Sequence, residues 1–195
     1  MFKYRIAAAV LIGGLSSRMG RPKEDIVIPG DGRTFLEKIC DEVDTAFGEC
    51  LCERYLSVRK GQSRERDGYQ TVEDEYSGIG PLGGLISVLR KARRDKCDAV
   101  LLLACDMPGY KAREIINLCG RYDAQDILFA RTGGCELQPL ASIYSTGILE
   151  AAIQQAESGN YRLRLLSEKA SRVEYYDTKD PDAYANVNIP YLPLN

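Results

Sequence analysis

The 195-residue chain contains no histidine and no tryptophan. Without histidine it can offer no imidazole base, and with no C-x-x-C pair among its cysteines a zinc site is disfavoured. Its apolar runs stop at about seven residues, Ile6 to Ile12 and Ala99 to Cys105, far short of the roughly 20 needed to cross a bilayer. Charge of one sign is also lacking. Twenty-six basic residues against 28 acidic ones leave a formal net charge of -2, which gives no broad electrostatic footprint for nucleic acid. Any basic site must be local.

The seven cysteines, Cys40, Cys50, Cys52, Cys97, Cys105, Cys119 and Cys135, are odd in number, and several sit in apolar patterns where a free thiol behaves as a small hydrophobe. This usage fits a reducing, cytoplasmic setting, with Cys50 and Cys52 as a candidate redox pair. The opening MFKYRIAAAVLIGG has the basic start and apolar stretch of a short signal peptide, but the stretch is at the short limit and Arg18, Arg21 and Lys23 follow at once.

What is present is an alternation of apolar runs with segments of helical period, the pattern of βα units around a mostly parallel sheet in one domain over residues 1–195. Strands are expected at Tyr4–Ile12, Cys50–Val58, Tyr69–Val72, Ala99–Cys105, Ile127–Ala130, Pro139–Tyr144 and Arg172–Tyr176. Helices are expected at Thr34–Phe47, with Thr34 as N-cap, at Leu82–Arg94, around Arg113–Leu118, at Ile148–Ala156 and at Leu163–Lys169. The charged stretch GQSRERDGYQ, residues 61–70, reads as a solvated insertion with no role. Ligands of open α/β sheets bind beyond the carboxyl ends of the strands. The loops after Ile12, Val72 and Cys105 are therefore the places to look.

The first of these, LIGGLSSRMGRPK (11–23), follows a buried strand with glycines whose N–H groups can face an anion, and adds Arg18, Arg21 and Lys23 as full charges. That suits a polyphosphate, with a following helix N-terminus adding partial positive charge; a surface loop with solvated cations is the other reading. Neither G-x-x-x-x-G-K nor G-x-G-x-x-G occurs here. The second, VEDEYSGIGPLGGL (72–85), combines acids with a glycine-rich turn into a helix, either a close approach to a ligand or a turn built only for turning. The third, LLLACDMP (101–108), ends an apolar strand on an acid. A carboxylate there is costly unless paired or bound to a cation, so Asp106 is a candidate Mg2+ ligand or a cap of the next turn.

These segments together resemble nucleotidyltransferases similar to molybdenum cofactor guanylyltransferase. LIGGLSSRMGRPK resembles their LAGG-x-S-x-RMG-x-x-K, with Ile12 in place of alanine; VEDEYSGIGPLGGL resembles their ED element and GPL-x-G turn; and CDMP matches theirs. ELQPLASIY (136–144), GNYRLRLL (159–166) and YANVNIP (184–190) are similar to the family's QPL segment, G-x-x-R-x-x-x-L helix and N-x-N-T-P close, with Ile189 in place of threonine. The resemblance implies a Rossmann-like α/β fold and transfer of GMP from GTP to the terminal phosphate of molybdopterin or its molybdenum form.

It further implies that Leu11, Ile12, Gly13, Gly14, Lys23, Asp74, Gly80 and Asp106 bind the nucleotide, with Pro81 and Leu82 in the same turn. Arg18, Lys23 and Asp106 would be catalytic, and Asp106 would hold Mg2+ or Mn2+. Arg18, Gly84, Gln138, Pro139, Arg162, Asn186 and Asn188 would face the acceptor. The partners implied are small molecules together with transient molybdoenzyme or cofactor-biosynthesis proteins, without nucleic acid or membrane. Cytidylyl transfer from CTP is the near alternative, though cytidylyltransferases of this kind commonly carry AAG where Gly13 and Gly14 stand. A non-catalytic nucleotide-binding adaptor is the alternative of another class.

Overall fold

In the computed structural model, which describes residues 3–12 and 22–186, the sheet grows outward from its first strand. That strand, β1 (Ile6–Leu11), is buried along nearly its whole length because Ile-Ala-Ala-Ala-Val-Leu offers apolar side chains to both faces. It pairs in parallel with β2 (Leu51–Val58) on one side and with β4 (Ala99–Ala104) on the other, the latter in register from Ile6–Ala99 to Leu11–Ala104. The short β3 (Gln70–Glu73) adds beyond β2, while β6 (Glu136–Ser145) runs antiparallel between β4 and β5 (Ile127–Thr132), and β7 (Val173–Asp177) closes the far edge. The order is β3-β2-β1-β4-β6-β5-β7, with β6 alone reversed. The expected mostly parallel α/β sheet is what the chain builds.

Helices cover both faces. α1 (Phe35–Ala46) and α3 (Ala112–Arg121) pack on the side lined by Ile6, Ala8, Val10, Leu101 and Leu103. α2 (Pro81–Arg94) and α4 (Leu149–Glu157) cover Ala7, Ala9, Val100 and Leu102. Strand alternation thus splits one apolar run between two cores. Thr34 does cap α1, in a capping box: its Oγ1 accepts from Glu37 N at 3.1 Å, and Glu37 Oε2 accepts from Thr34 N at 2.7 Å.

Two expectations need correction. Leu163–Lys169 is a 3-10 helix; its buried residues, Leu163 and Leu166, are three apart, which matches three residues per turn. The stretch 61–70 is tied down by charge: Arg66 bonds Asp41 and Asp44 on α1 at 2.8 Å each, and Arg64 bonds Asp25 at 2.6 Å. Three further 3-10 turns, Lys23–Asp25, Thr146–Ile148 and Pro181–Tyr184, had no sequence expectation.

Candidate functional site

The chain leaves β1 toward β2 and β3 and then returns to β4 on the other side, so the strand order reverses between β1 and β4. A crevice outside the carboxyl ends is expected at that switch point. Asp106 lies there, two residues beyond Ala104, the partner of Leu11. Its Oδ2 accepts from Lys23 Nζ at 2.9 Å, both side chains being mostly covered. Lys23 opens the 3-10 turn Lys23–Asp25, whose middle residue, Glu24, is buried and bonded through Oε1 to Gln62 Nε2 at 2.9 Å. The preceding Cys105 is a core residue: burial pushes its thiol well up, and the Asp106 carboxylate pushes it further. That makes it a poor nucleophile.

One strand over, a cleft of about 430 Å³ opens between the ends of β1 and β2 and the start of α2. Leu11, Ile12, Asp74, Gly80 and Pro81, expected at the nucleotide, line it, and so does Gly84, which was expected to face the acceptor. The Asp74 carboxyl is pushed up by burial, against the Ser57 hydroxyl that donates to its Oδ1 at 2.8 Å. Gly80 has φ 63° and caps α2 ahead of Pro81, a backbone state that glycine adopts without strain. A Cβ at Gly84 would stand 2.6 Å from Leu11 Cδ2, 2.9 Å from Ser57 Oγ and 3.5 Å from Asp74 Oδ1. Helix, strand ends and carboxylate meet only because that side chain is missing.

Five site residues were missed, two of which, Tyr76 and Ser77, line the cleft from within the second loop without having been singled out there. Arg59 and Lys60 line the cleft from the loop after β2, and Ser57 orients Asp74 from within that strand. The carboxyl-end rule that singled out the loops after Ile12, Val72 and Cys105 applies equally to Val58, and would have found the two cations. Nothing in the sequence marks Ser57.

The remaining candidates are placed elsewhere. Gln138 and Pro139 lie near the start of the reversed β6 and so at the same sheet end as Asp106, but the Gln138 amide donates to Thr132 Oγ1 at 3.0 Å and the Pro139 carbonyl accepts from Tyr144 at 2.8 Å. Arg162 is exposed ahead of the 3-10 helix, its carbonyl taking a bond from Gln155 Nε2 at 3.0 Å. None of the three lines the cleft. Asn186 is exposed just after the turn Pro181–Tyr184. That turn is pinned near Asp106: Tyr184 donates to the buried Glu114 at 3.0 Å and stands edge-on to Tyr110 at 5.1 Å, while the backbone at Asp182 and Ala183 leaves little room for a Cβ on Gly109. Gly13, Gly14, Arg18 and Asn188 lie outside the described residues.

Cys50 and Cys52 do not form a pair with each other. They sit on opposite faces of the chain entering β2, Cys50 in the core of α1 and α3 and Cys52 against that of α2 and α4. The Cys52 and Cys97 sulfurs are 3.3 Å apart.

Among the described residues no group of three or more His, Cys, Asp or Glu could cage a metal, and no helix is long and apolar enough to cross a membrane.

A mostly parallel α/β sheet with a glycine-walled cleft and a lysine–carboxylate pair at its switch point is the architecture of an α/β domain that binds its ligand beyond the strand ends. A family match makes that domain a nucleotidyltransferase. The chain belongs to the MobA-like NTP transferase domain family, whose sequence model matches residues 8–173. Among curated relatives, the molybdenum cofactor guanylyltransferase of Shewanella sp. (strain ANA-3) is 24% identical over 189 residues, covering 95% of this chain and 92% of its own. The probable molybdenum cofactor guanylyltransferase of Mycobacterium marinum is 28% identical over 183 residues, covering 94% and 89%. The fold is shared with the crystal structure of molybdopterin-guanine dinucleotide biosynthesis protein A from Archaeoglobus fulgidus, with TM-score 0.76, 20% identity, and 94% and 93% of the two chains covered.

Proposed function

We propose that this chain transfers GMP from GTP to the terminal phosphate of molybdopterin, releasing pyrophosphate. The observation that supports this most directly is the pair Lys23–Asp106 at the switch point, one strand from the Asp74 cleft, in a chain whose curated relatives carry that activity in their names.

The residues suit the chemistry. A phosphate monoester has its second pKa near 6, so the acceptor is already ionised at neutral pH and no general base is needed. What remains is alignment and charge neutralisation at the α-phosphate. Asp74, with Gly80 and Gly84 giving close backbone approach, takes the nucleoside end. Lys23 takes the triphosphate as a point charge, with Arg18 toward the phosphates or the incoming acceptor. Asn186 and Asn188 orient the acceptor or the cation's waters, and Gln138, Pro139 and Arg162 are the further acceptor-facing residues, the first two at the sheet end that carries Asp106.

Mg2+ fits the donor set: it is commonly held by one or two carboxylates together with phosphate oxygens and water, and Asp106 supplies one carboxylate at a strand end while the described residues build no all-protein cage. Asp106 would hold Mg2+, or Mn2+ in its place, and the cation would offset triphosphate charge. In the free chain the Lys23 ammonium neutralises that carboxylate.

The test is pyrophosphate release with molybdopterin and each of the four nucleoside triphosphates in Mg2+, beside thermal shifts with GTP and CTP. Turnover with GTP alone is expected. Turnover with CTP would make the chain a cytidylyltransferase, and no release with any of them would favour a non-catalytic nucleotide-binding adaptor.

A further inference from the structure

The charged stretch after β2 joins the two sides of the site. Gln62 stands between them: its Nε2 donates to Glu24 Oε1 at 2.9 Å, and its Oε1 accepts from Arg59 N at 3.4 Å. Glu24 is 1% exposed and adjoins Lys23 in the chain, while Arg59 and Lys60 line the cleft. Arg64 adds a second tie, donating to Asp25 Oδ2 at 2.6 Å and lying 3.9 Å from Glu24. The stretch is itself anchored, since Arg66 is bonded to Asp41 and Asp44 of α1, and Thr71 Oγ1 donates to the Arg64 carbonyl at 2.6 Å. A buried carboxylate is costly without donors, so the place of Glu24 is set by the groups that satisfy it. Where Glu24 goes, Lys23 follows.

We propose that Gln62 and Arg64 are positioning residues for the triphosphate. They fix the Lys23–Asp25 turn relative to the Arg59–Lys60 rim, so that the nucleoside end and the phosphates are held at one spacing. The inference rests on the nucleotidyl-transfer reading and adds to it a pair of residues that touch no substrate.

The test is a double-mutant cycle read by calorimetric binding of GTP and of GMP in excess Mg2+, using the wild type, Lys23→Ala, Arg64→Ala, the double variant and Arg64→Lys. Arg64→Ala is expected to weaken GTP about tenfold, the worth of one displaced charge-assisted hydrogen bond. GMP, which lacks the outer phosphates, should barely change, and Arg64→Lys should restore most of the loss. The double variant should bind GTP no more weakly than Lys23→Ala alone, because Arg64 acts through that lysine. If Arg64→Ala does not fold, Gln62→Met, which keeps the length and removes both hydrogen bonds, takes its place with the same expectations. Additive losses, equal weakening of GTP and GMP, or an unchanged GTP affinity would each overturn the inference. A wild type that binds GTP beside an indifferent Arg64→Ala sinks the inference alone; a wild type that binds no nucleoside triphosphate sinks the functional reading and the inference with it.

Discussion

Lys23 and Asp106 are 83 residues apart in sequence, and their charged atoms are 2.9 Å apart in space. One follows the loop after β1 and the other ends the run out of β4, and parallel pairing of those strands makes their ends neighbours. The pair unites the cationic loop and the acid-capped strand that sequence reading had to treat separately.

Asp106→Ala is expected to abolish turnover, with kcat down by at least about 10²–10³, the scale for removing one electrostatic stabiliser of a transition state. The fold should survive, because Asp106 lies beyond β4 and contributes nothing to the sheet ladder. Lys23→Ala should raise KM for GTP and slow transfer. Near-normal Mg2+-dependent rates in the first variant, with an unchanged circular-dichroism spectrum, would take Asp106 out of the proposed role; unchanged KM and kcat in the second would do so for Lys23.

The same contact predicts effects of opposite sign on two ligands. The ammonium of Lys23 already offsets the charge that a divalent cation would meet on Asp106. Lys23→Ala should therefore bind Mn2+ more tightly in the absence of nucleotide, read by paramagnetic water relaxation, while binding GTP more weakly. Both affinities moving in the same direction would show that the lysine does not compete with the cation at that carboxylate.

Legibility in the sequence followed the kind of force involved. β1 and β4 were legible because an apolar run of that length bounded by turn residues has few other uses, and α1 was legible to its cap because Thr34 and Glu37 satisfy each other locally. Asp106 stood out because a carboxylate ending such a run needs a partner. Ser57 did not, since a serine in a strand looks the same whether it faces solvent or a half-buried aspartate. The stretch 61–70 was misread for a similar reason: Arg64 and Arg66 look solvated until the chain brings Asp25, Asp41 and Asp44 within 2.8 Å of them. Charge composition reports what can pair, and only the fold reports what does.

Asp74 gives a pH-dependent prediction. Burial raises the pKa of its carboxyl, so the folded chain holds that proton to higher pH than the unfolded chain. Below the ordinary aspartate pKa of about 3.9 both states are protonated and nothing is lost; as pH rises through the raised folded value, the charged form destabilises the fold. Asp74→Asn keeps an oxygen for the Ser57 hydroxyl and removes the charge. Its Tm should match the wild type in acid and exceed it at neutral pH, while its GTP affinity falls. A variant less stable than the wild type at neutral pH would show that the carboxylate is stabilised where it stands, contrary to the burial argument.

Gly84→Ala sets two effects against each other. Alanine is the better helix former by roughly 1 kcal/mol, and Gly84 lies inside α2, so propensity alone favours the change. Packing opposes it, because the new methyl would lie 2.6 Å from Leu11 Cδ2 and 2.9 Å from Ser57 Oγ. Overpacking of this kind costs about 1–3 kcal/mol, so the net change in stability should be small and unfavourable, about 0–2 kcal/mol. Relief must come from the side chains that form the cleft: Leu11 lines it directly, and Ser57 can move only by disturbing its 2.8 Å bond to Asp74. The variant should therefore lose nucleotide affinity out of proportion to its loss of stability. Unchanged GTP binding with a lowered Tm would mean that the strain is absorbed away from the cleft, and that this glycine serves only the packing of α2 on the sheet.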